Sequence, residues 1–180
     1  MIRQSFLFAV LWLCCSVVLA QHGALDGEWS TYGGDLGHTR YSPLDQIKAE
    51  NFSDLEVAWR FKTDNLGPSP EYRFQATPLV VNGVMYTTAG SRRAVVALDA
   101  RSGELLWKYA LNEGARAANA PRQLSGRGLA LWQDGADTRI IYVTPGYQMI
   151  ALDGSTGRPV QSFGIEGIVD LKQFPFPFCP

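Results

Sequence analysis

Cysteine is scarce in this sequence, and its placement limits what it can do. Of 3 cysteines in 180 residues, Cys14 and Cys15 lie in an apolar N-terminal run and Cys179 lies near the other end. If that run is removed on export, Cys179 has no partner within the chain. No internal disulfide then supports the fold, and packing must do so. Histidine is equally rare: His22 and His38 are the only 2. Without spaced partners they argue against a metal centre built on imidazole. A charge excess of one sign is also missing. Lys+Arg 16 against Asp+Glu 17 leaves −1, which gives no reason to invoke nucleic acid or an anionic membrane surface as partner. No glycine-rich phosphate cradle stands at a strand-to-helix junction, since Gly33 and Gly34 sit among loop residues. Nor does any stretch after Ala20 keep a helical period for long. The best candidate is residues 45–55, read as a short helix or helical turn leading into a strand. What is present, 46% hydrophobic and 18% charged residues, describes a globular chain.

The N-terminus reads as a secretory signal. Arg3 supplies a positive start, and residues 6–20 are apolar and uncharged. That run is shorter than the roughly 20 residues a membrane-crossing helix needs. It closes on Val18-Leu19-Ala20, with polar Gln21 and His22 following, so cleavage is expected after Ala20. An uncleaved membrane anchor is the rival reading. A lipoprotein is disfavoured because small residues precede neither Cys14 nor Cys15. The expected organisation is a signal at 1–20, a folded part at 21–173 and a tail at 174–180. The expected location is the periplasm, with membrane association left open. The tail reads FPFPFCP, and its alternating prolines would remove ladder donors. It resembles foreign sequence after a frameshift or truncation, a genuine proline-rich terminus being the alternative.

Between these ends the chain is a series of short β-rich runs punctuated by Gly, Pro and Asn. Residues 78–88, PLVVNGVMYTT, are two apolar runs joined by Asn82-Gly83. That pair tolerates the positive φ of a type I′ turn and signals a hairpin. Residues 94–98 form a further expected strand, Asp99 to Gly103 a turn and residues 104–109 a third strand. The meander then recurs. VVALDARSGELLWKY (95–109) is matched by MIALDGSTGRPVQSF (149–163), with Ala97, Leu98, Asp99 and Gly103 aligned at one common offset with Ala151, Leu152, Asp153 and Gly157. β-rich pairs precede both copies, at 79–88 in the first and at 129–132 with 140–144 in the second. Self-similarity of this length, with four short strands per unit, points to propeller blades. In each turn the Asp can accept backbone N–H bonds and the Gly can take φ > 0. Trp107, just after the first turn, would project towards a neighbouring blade. The second copy breaks the pattern, with Gln161 where a Trp would fall. Trp59, in LEVAWRF, looks like the same tryptophan on an earlier strand whose blade is completed elsewhere.

Those residues carry a family resemblance. Ala97, Asp99, Gly103 and Trp107 together resemble the tryptophan-docking motif of the eight-bladed PQQ-dependent (quinoprotein) dehydrogenases. WSTYGGDLGHTRYSPLDQI (29–47), LEVAWRFKT, ATPLVVNGVMY (76–86) and GRGLALW (126–132) are similar to segments of that family. SFGIEGIVDL (162–171) is closest to its glucose dehydrogenase branch. The resemblance covers 27–173 and implies an all-β fold, the N-terminal blades of a β-propeller built from antiparallel four-stranded sheets. It also implies PQQ beside a calcium ion near the propeller axis. Hydride passes from the substrate carbon to the quinone while a base takes the hydroxyl proton. A sugar or alcohol would be the substrate, glucose or another aldose favoured, and a quinone or cytochrome c the electron acceptor.

Two cofactor-binding positions carry over from the resemblance. Gln75 lies where relatives place a Glu or similar polar group, and Arg127 where relatives set an Arg against the cofactor's carboxylate or quinone oxygens. A guanidinium's planar fork suits such acceptors. The plainer readings are a surface amide and a surface salt-bridge arginine. Two departures stand beside them. The paired cysteines that many alcohol-oxidising relatives carry before this arginine are absent from 121–125, and the chain supplies about two blades. The family's calcium ligands, catalytic aspartate and stacking tryptophan belong to later blades, so no catalytic or metal residue is expected here. The chain is therefore expected to be a truncated, inactive fragment. A non-catalytic propeller scaffold of the outer-membrane assembly type is the competing function. Trp29 and Tyr32 read as packing aromatics rather than a sugar platform.

Overall fold

The computed structural model describes residues 23–24, 27–69, 71–123 and 128–173. The expected signal, Arg127 and the 174–180 tail lie outside the described residues.

Eight strands form two four-stranded antiparallel sheets in plain meander order. The first contains β1 (Leu79–Val81), β2 (Val84–Ala89), β3 (Ala94–Asp99) and β4 (Leu105–Tyr109). The second contains β5 (Ala130–Asp134), β6 (Asp137–Val143), β7 (Gln148–Asp153) and β8 (Ile168–Asp170). The Asn82-Gly83 expectation holds: their φ values are 51° and 75°, and Val81 pairs with Val84 across the turn. Both central residues of a type I′ turn need positive φ, which is why this dipeptide sets the register of the first sheet. Helix is confined, among the described residues, to a 3-10 turn at Phe52–Asp54 and the four-residue α1 (Ala115–Ala118). Residues 55–63 enter no named strand.

The core lies between the sheets. Leu79, Val81, Tyr86, Val95 and Ala97 of the first meet Leu129, Ile140, Tyr142, Ile150 and Leu152 of the second. On the opposite face of the first sheet, Val96 and Leu98 pack with Leu66, Ala89, Trp59, Phe61 and Met85. Side chains alternate across a strand, so β3 is covered on both sides and reads as an unbroken apolar run rather than an alternating one. Each fully buried Leu or Ile in this layer contributes roughly 1.5–3 kcal/mol.

The joint between the sheets is closed by a tryptophan. The Trp107 indole N–H donates to the Gly154 carbonyl at 2.8 Å, and its ring covers Gly157 so closely that a Cβ there would collide with it. Trp59 does the same to the first sheet, donating to the Ala100 carbonyl at 3.2 Å and covering Gly103. The expected equivalence of the two turns is thus observed in full. Asp99 accepts the N–H of Arg101 and Ser102, and Asp153 that of Ser155 and Thr156. Gly103 and Gly157 both have positive φ, 72° and 69°.

Candidate functional site

In an antiparallel meander alternate connections fall at one end. The Asp99 and Asp153 turns therefore lie at one end of the sheet pair, with the Asn82-Gly83 hairpin. The other end gathers the approach to β1, the β2–β3 turn, the long β4–β5 connection and the β6–β7 turn. The candidate site is at this second end. A cleft of about 530 Å³ opens there, with Tyr32, Arg93, Arg122, Tyr142, Thr144 and Tyr147 in its wall. Leu129, Ile141 and Met149 add an apolar side. A smaller recess of about 280 Å³ adjoins it, lined in part by Arg92, Asn112, Glu113 and Gln123.

Two polar networks hold the wall. Glu113 accepts the Thr144 hydroxyl at 2.7 Å and the Gly146 N–H at 2.9 Å, so one carboxylate fixes the β6–β7 turn. Arg116, from α1, donates to the Gly146 carbonyl and to both carboxylate oxygens of Asp170, the nearer guanidinium nitrogen pair bridging at 2.5 and 2.7 Å. The Arg116 side chain holds the Asp170 carboxyl well below the ordinary carboxylate range, at about 2. The second network centres on Arg93, whose guanidinium donates to the Val143 and Arg122 carbonyls at 3.2 and 3.1 Å. Burial, assisted by Tyr109 and Glu113, pushes the Tyr142 phenol far up, so at neutral pH it is an uncharged hydrogen-bonding group. The cleft thus pairs cationic and hydroxyl groups with an apolar side, a surface chemically suited to a planar anionic ligand.

The two expected cofactor residues fare differently. Gln75 is exposed, in the approach to β1 at this same end, and is not part of the cleft wall. Arg127 lies outside the described residues, but the chain on either side of that stretch, at Arg122 and Gly128, lines the cleft. Sequence reasoning missed Arg93, Arg122, Glu113 and Tyr142. The signal available for Arg93 was an arginine pair, Arg92-Arg93, in a tight turn between two apolar strands. Nothing in the sequence pattern marks Glu113, whose partners are a hydroxyl and an amide remote in the chain. Among the described residues, no group of three or more His, Cys, Asp or Glu side chains gathers as a metal site would require.

Comparison with known proteins places the architecture. A sequence profile of the PQQ family, described as glucose/ethanol/alcohol dehydrogenase, beta-propeller domain, matches residues 29–175. The dehydrogenase subunit of alcohol dehydrogenase (quinone) from Gluconobacter oxydans (strain 621H) is 37% identical over 82% of this chain, which spans 18% of that protein. The 1-butanol dehydrogenase (cytochrome c) of Thauera butanivorans is 34% identical over 88% of this chain, which spans 22% of it. The solved quinohemoprotein alcohol dehydrogenase ADHIIG of Pseudomonas putida HK5 superposes with a TM-score of 0.66 at 34% identity, covering 83% of this chain and 20% of its own. By their descriptions these relatives act on alcohols. The glucose-branch expectation drawn from residues 162–171 finds no support among them.

Proposed function

Because the chain belongs to the PQQ-dependent dehydrogenases of the glucose/ethanol/alcohol β-propeller family, we propose that it forms the first two blades of a periplasmic alcohol dehydrogenase. The relatives' descriptions as alcohol dehydrogenases carry the choice of substrate class, over the aldose first favoured. A quinone or a cytochrome c is the proposed acceptor, in line with the same two descriptions. No observation favours the scaffold reading.

The groups present fit the cofactor. PQQ is a planar polycarboxylate, and the cleft is lined by Arg122, Tyr32 and Tyr147 beside an apolar wall. Arg127, between Arg122 and Gly128 in sequence, is proposed to join them against the carboxylates. Gln75 is proposed to give a neutral contact from the approach to β1. When bound, the cofactor supplies the two-electron acceptor for the alcohol's carbon-bound hydride. This chain's residues orient and neutralise it. Calcium and the proton-accepting base are proposed to come from the part of the protein that this chain does not span. On that view residues 21–180 alone turn over no substrate, and their open sheet edges favour association.

The test is reconstitution with PQQ and calcium, followed by oxidation assays on ethanol, 1-butanol and glucose with an artificial electron acceptor. The full-length protein should oxidise the primary alcohols in preference to glucose. A preference for glucose would overturn the substrate reading. Turnover above background by monodisperse residues 21–180 would overturn the placement of calcium and base. Arg127→Leu should weaken PQQ binding on the order of tenfold, the loss of a charge-assisted contact, and Gln75→Ala less. Export is checked by N-terminal sequencing of periplasmic material, which should begin at Gln21.

A further inference from the structure

We propose that Glu113 and Arg116 are positioning residues: gripping Gly146 from both sides, they hold Tyr147 in a strained backbone conformation that presents its ring to the cofactor. The inference rests on the PQQ-binding reading given above and adds to it a contact residue and the device that aims it.

Gly146 is held at both of its polar atoms by opposite charges. Its N–H donates to Glu113 at 2.9 Å, and its carbonyl accepts from the Arg116 guanidinium at 2.6 Å. Bonds to charged partners are roughly twice as strong as neutral ones. The same two side chains reach further. Glu113 accepts the Thr144 hydroxyl at 2.7 Å, and that oxygen accepts the Gln148 N–H at 3.0 Å. Arg116 pairs with Asp170. Only glycine leaves room for this grip, because a Cβ at position 146 would collide with both side chains. A carboxylate holds the matching turn of the first sheet as well, where Glu71 accepts the Gly90 N–H at 2.8 Å.

What the grip maintains is the residue that follows. Tyr147 has φ 67°, where a Cβ crowds the backbone and glycine or asparagine is easiest. Strain of this kind persists only where the surroundings over-determine it, and it gathers at ligand sites. Both polar backbone atoms of Tyr147 are fixed: its N–H donates to the Thr144 carbonyl at 3.1 Å, and its carbonyl accepts the Leu171 N–H at 3.0 Å. Core burial does not repay the strain, since Tyr147 is 43% exposed. It stands instead on the cleft wall, with Ile141, Val143 and Met149 as its apolar neighbours there. The Lys172 ammonium lies 5.5 Å from the ring centroid and adds a positive charge beside it. An exposed aromatic with a cation at hand and an apolar flank suits one face of a planar polycarboxylate, through stacking and charge together.

The test measures the PQQ dissociation constant of the full-length protein by equilibrium dialysis, for Glu113→Gln, Tyr147→Gly and the double variant. Glu113→Gln keeps the shape of the side chain and loses its charge. Tyr147→Gly relaxes the backbone at φ 67° and removes the ring, so it remains folded. Amide hydrogen exchange of residues 144–148 in the apoprotein is read alongside. Each single variant should raise the dissociation constant on the order of tenfold. The double variant should bind no more weakly than Tyr147→Gly alone, because Glu113 acts through that ring. Exchange at Gly146 should be on the order of tenfold faster in Glu113→Gln, with remote strands unchanged. Losses that add, to on the order of a hundredfold in the double variant, would overturn the proposal, since Glu113 would then act by another route. Wild-type affinity in either single variant would overturn it too. If Glu113→Gln does not fold, Arg116→Lys takes its place in the same cycle, because an ammonium lacks the fork that spans Gly146 and Asp170. Wild-type protein that binds no PQQ would instead overturn the family-based reading, and this proposal with it.

Discussion

The two sheets are copies of one repeat that end differently. In the first, β4 follows directly on the Asp99–Gly103 turn and pairs with β3 from Val95 opposite Tyr109 to Leu98 opposite Leu105. In the second, the chain leaves the Asp153–Gly157 turn, touches β7 only through the Leu152–Pro159 bridge, and supplies its fourth strand later, at Ile168–Asp170. The residue in the place of Trp107 is Gln161, which is exposed. The shared part of the repeat is thus the third strand and its turn, where Val95 to Ala97 and Ile150 to Leu152 are sealed from solvent. The fourth strand is free to move in sequence because only one of its edges pairs. What it must deliver in the first sheet is an indole to the neighbour's turn.

That comparison can be broken most severely at the glycines beneath the indoles. Gly157→Ala places a Cβ into Trp107 at φ 69° and should cost about 3 kcal/mol, from strain and collision together. Gly103→Ala meets Trp59 in the same way, but Trp59 sits on a stretch without a ladder that can yield. About 2 kcal/mol is expected there. Urea denaturation of the pair reads the difference, and equal losses would show that the ladder behind the tryptophan is irrelevant.

Next come the tryptophans. Trp107 is half-buried, so Trp107→Ala should cost about 2–3 kcal/mol, less than a fully buried tryptophan. Trp107→Phe should retain most of the packing and lose about 1 kcal/mol, the net value of the hydrogen bond to Gly154. Gln161→Trp asks the converse question. The side chain is exposed and β8 forms without it, so stability should change by no more than about 0.5 kcal/mol.

The second sheet alone is pinned by Arg116 and Asp170, which gives it an acid sensitivity the first sheet lacks at this position. The folded-state pKa of Asp170, about 2, lies below the ordinary aspartate value of 3.8. Its contribution is therefore complete above that ordinary value and lost as pH falls towards 2. Arg116→Met should flatten the pH dependence of unfolding between pH 4 and about 2. An unchanged acid limb would assign the loss to other carboxylates, such as Asp99 and Asp153, whose turn hydrogen bonds also lower their pKa values. The smallest effect belongs to Arg139, stacked 4.5 Å from the Trp132 ring and paired with Asp137 on the surface. Arg139→Gln should cost about 0.5 kcal/mol in thermal unfolding.

Much of this architecture is written in local signals. Asn82-Gly83 fixes a turn because of what those two residues tolerate, whatever surrounds them. The Asp-to-Gly turns are local as well, since each aspartate bonds amides two and three residues ahead. β3 declares itself as an unbroken apolar run because it is covered on both sides, by the second sheet on one face and by Trp59, Phe61 and Leu66 on the other. The late fourth strand was not legible: a three-residue run offers no period, and its place depends on which edge of β7 is open. The cleft was not legible: Gln75, carried over from resemblance, is not in its wall, Arg127 lies outside the described residues, and Arg93, Arg122 and Glu113 came from the structure.

The sequence by itself determined the repeat, its turns, its apolar strands and the family. These depend on the conformational preferences of a few adjacent residues and on hydrophobic patterning over short windows. Tertiary structure alone decided that Trp59 docks on Ala100 and Trp107 on Gly154. It also brought Glu113 to Thr144 and turned Arg93 onto two carbonyls from different segments. Those contacts join residues 29 to 50 positions apart. Contacts that distant form only after the sheets have stacked, because closing such a loop costs entropy that only the buried layer between the sheets offsets.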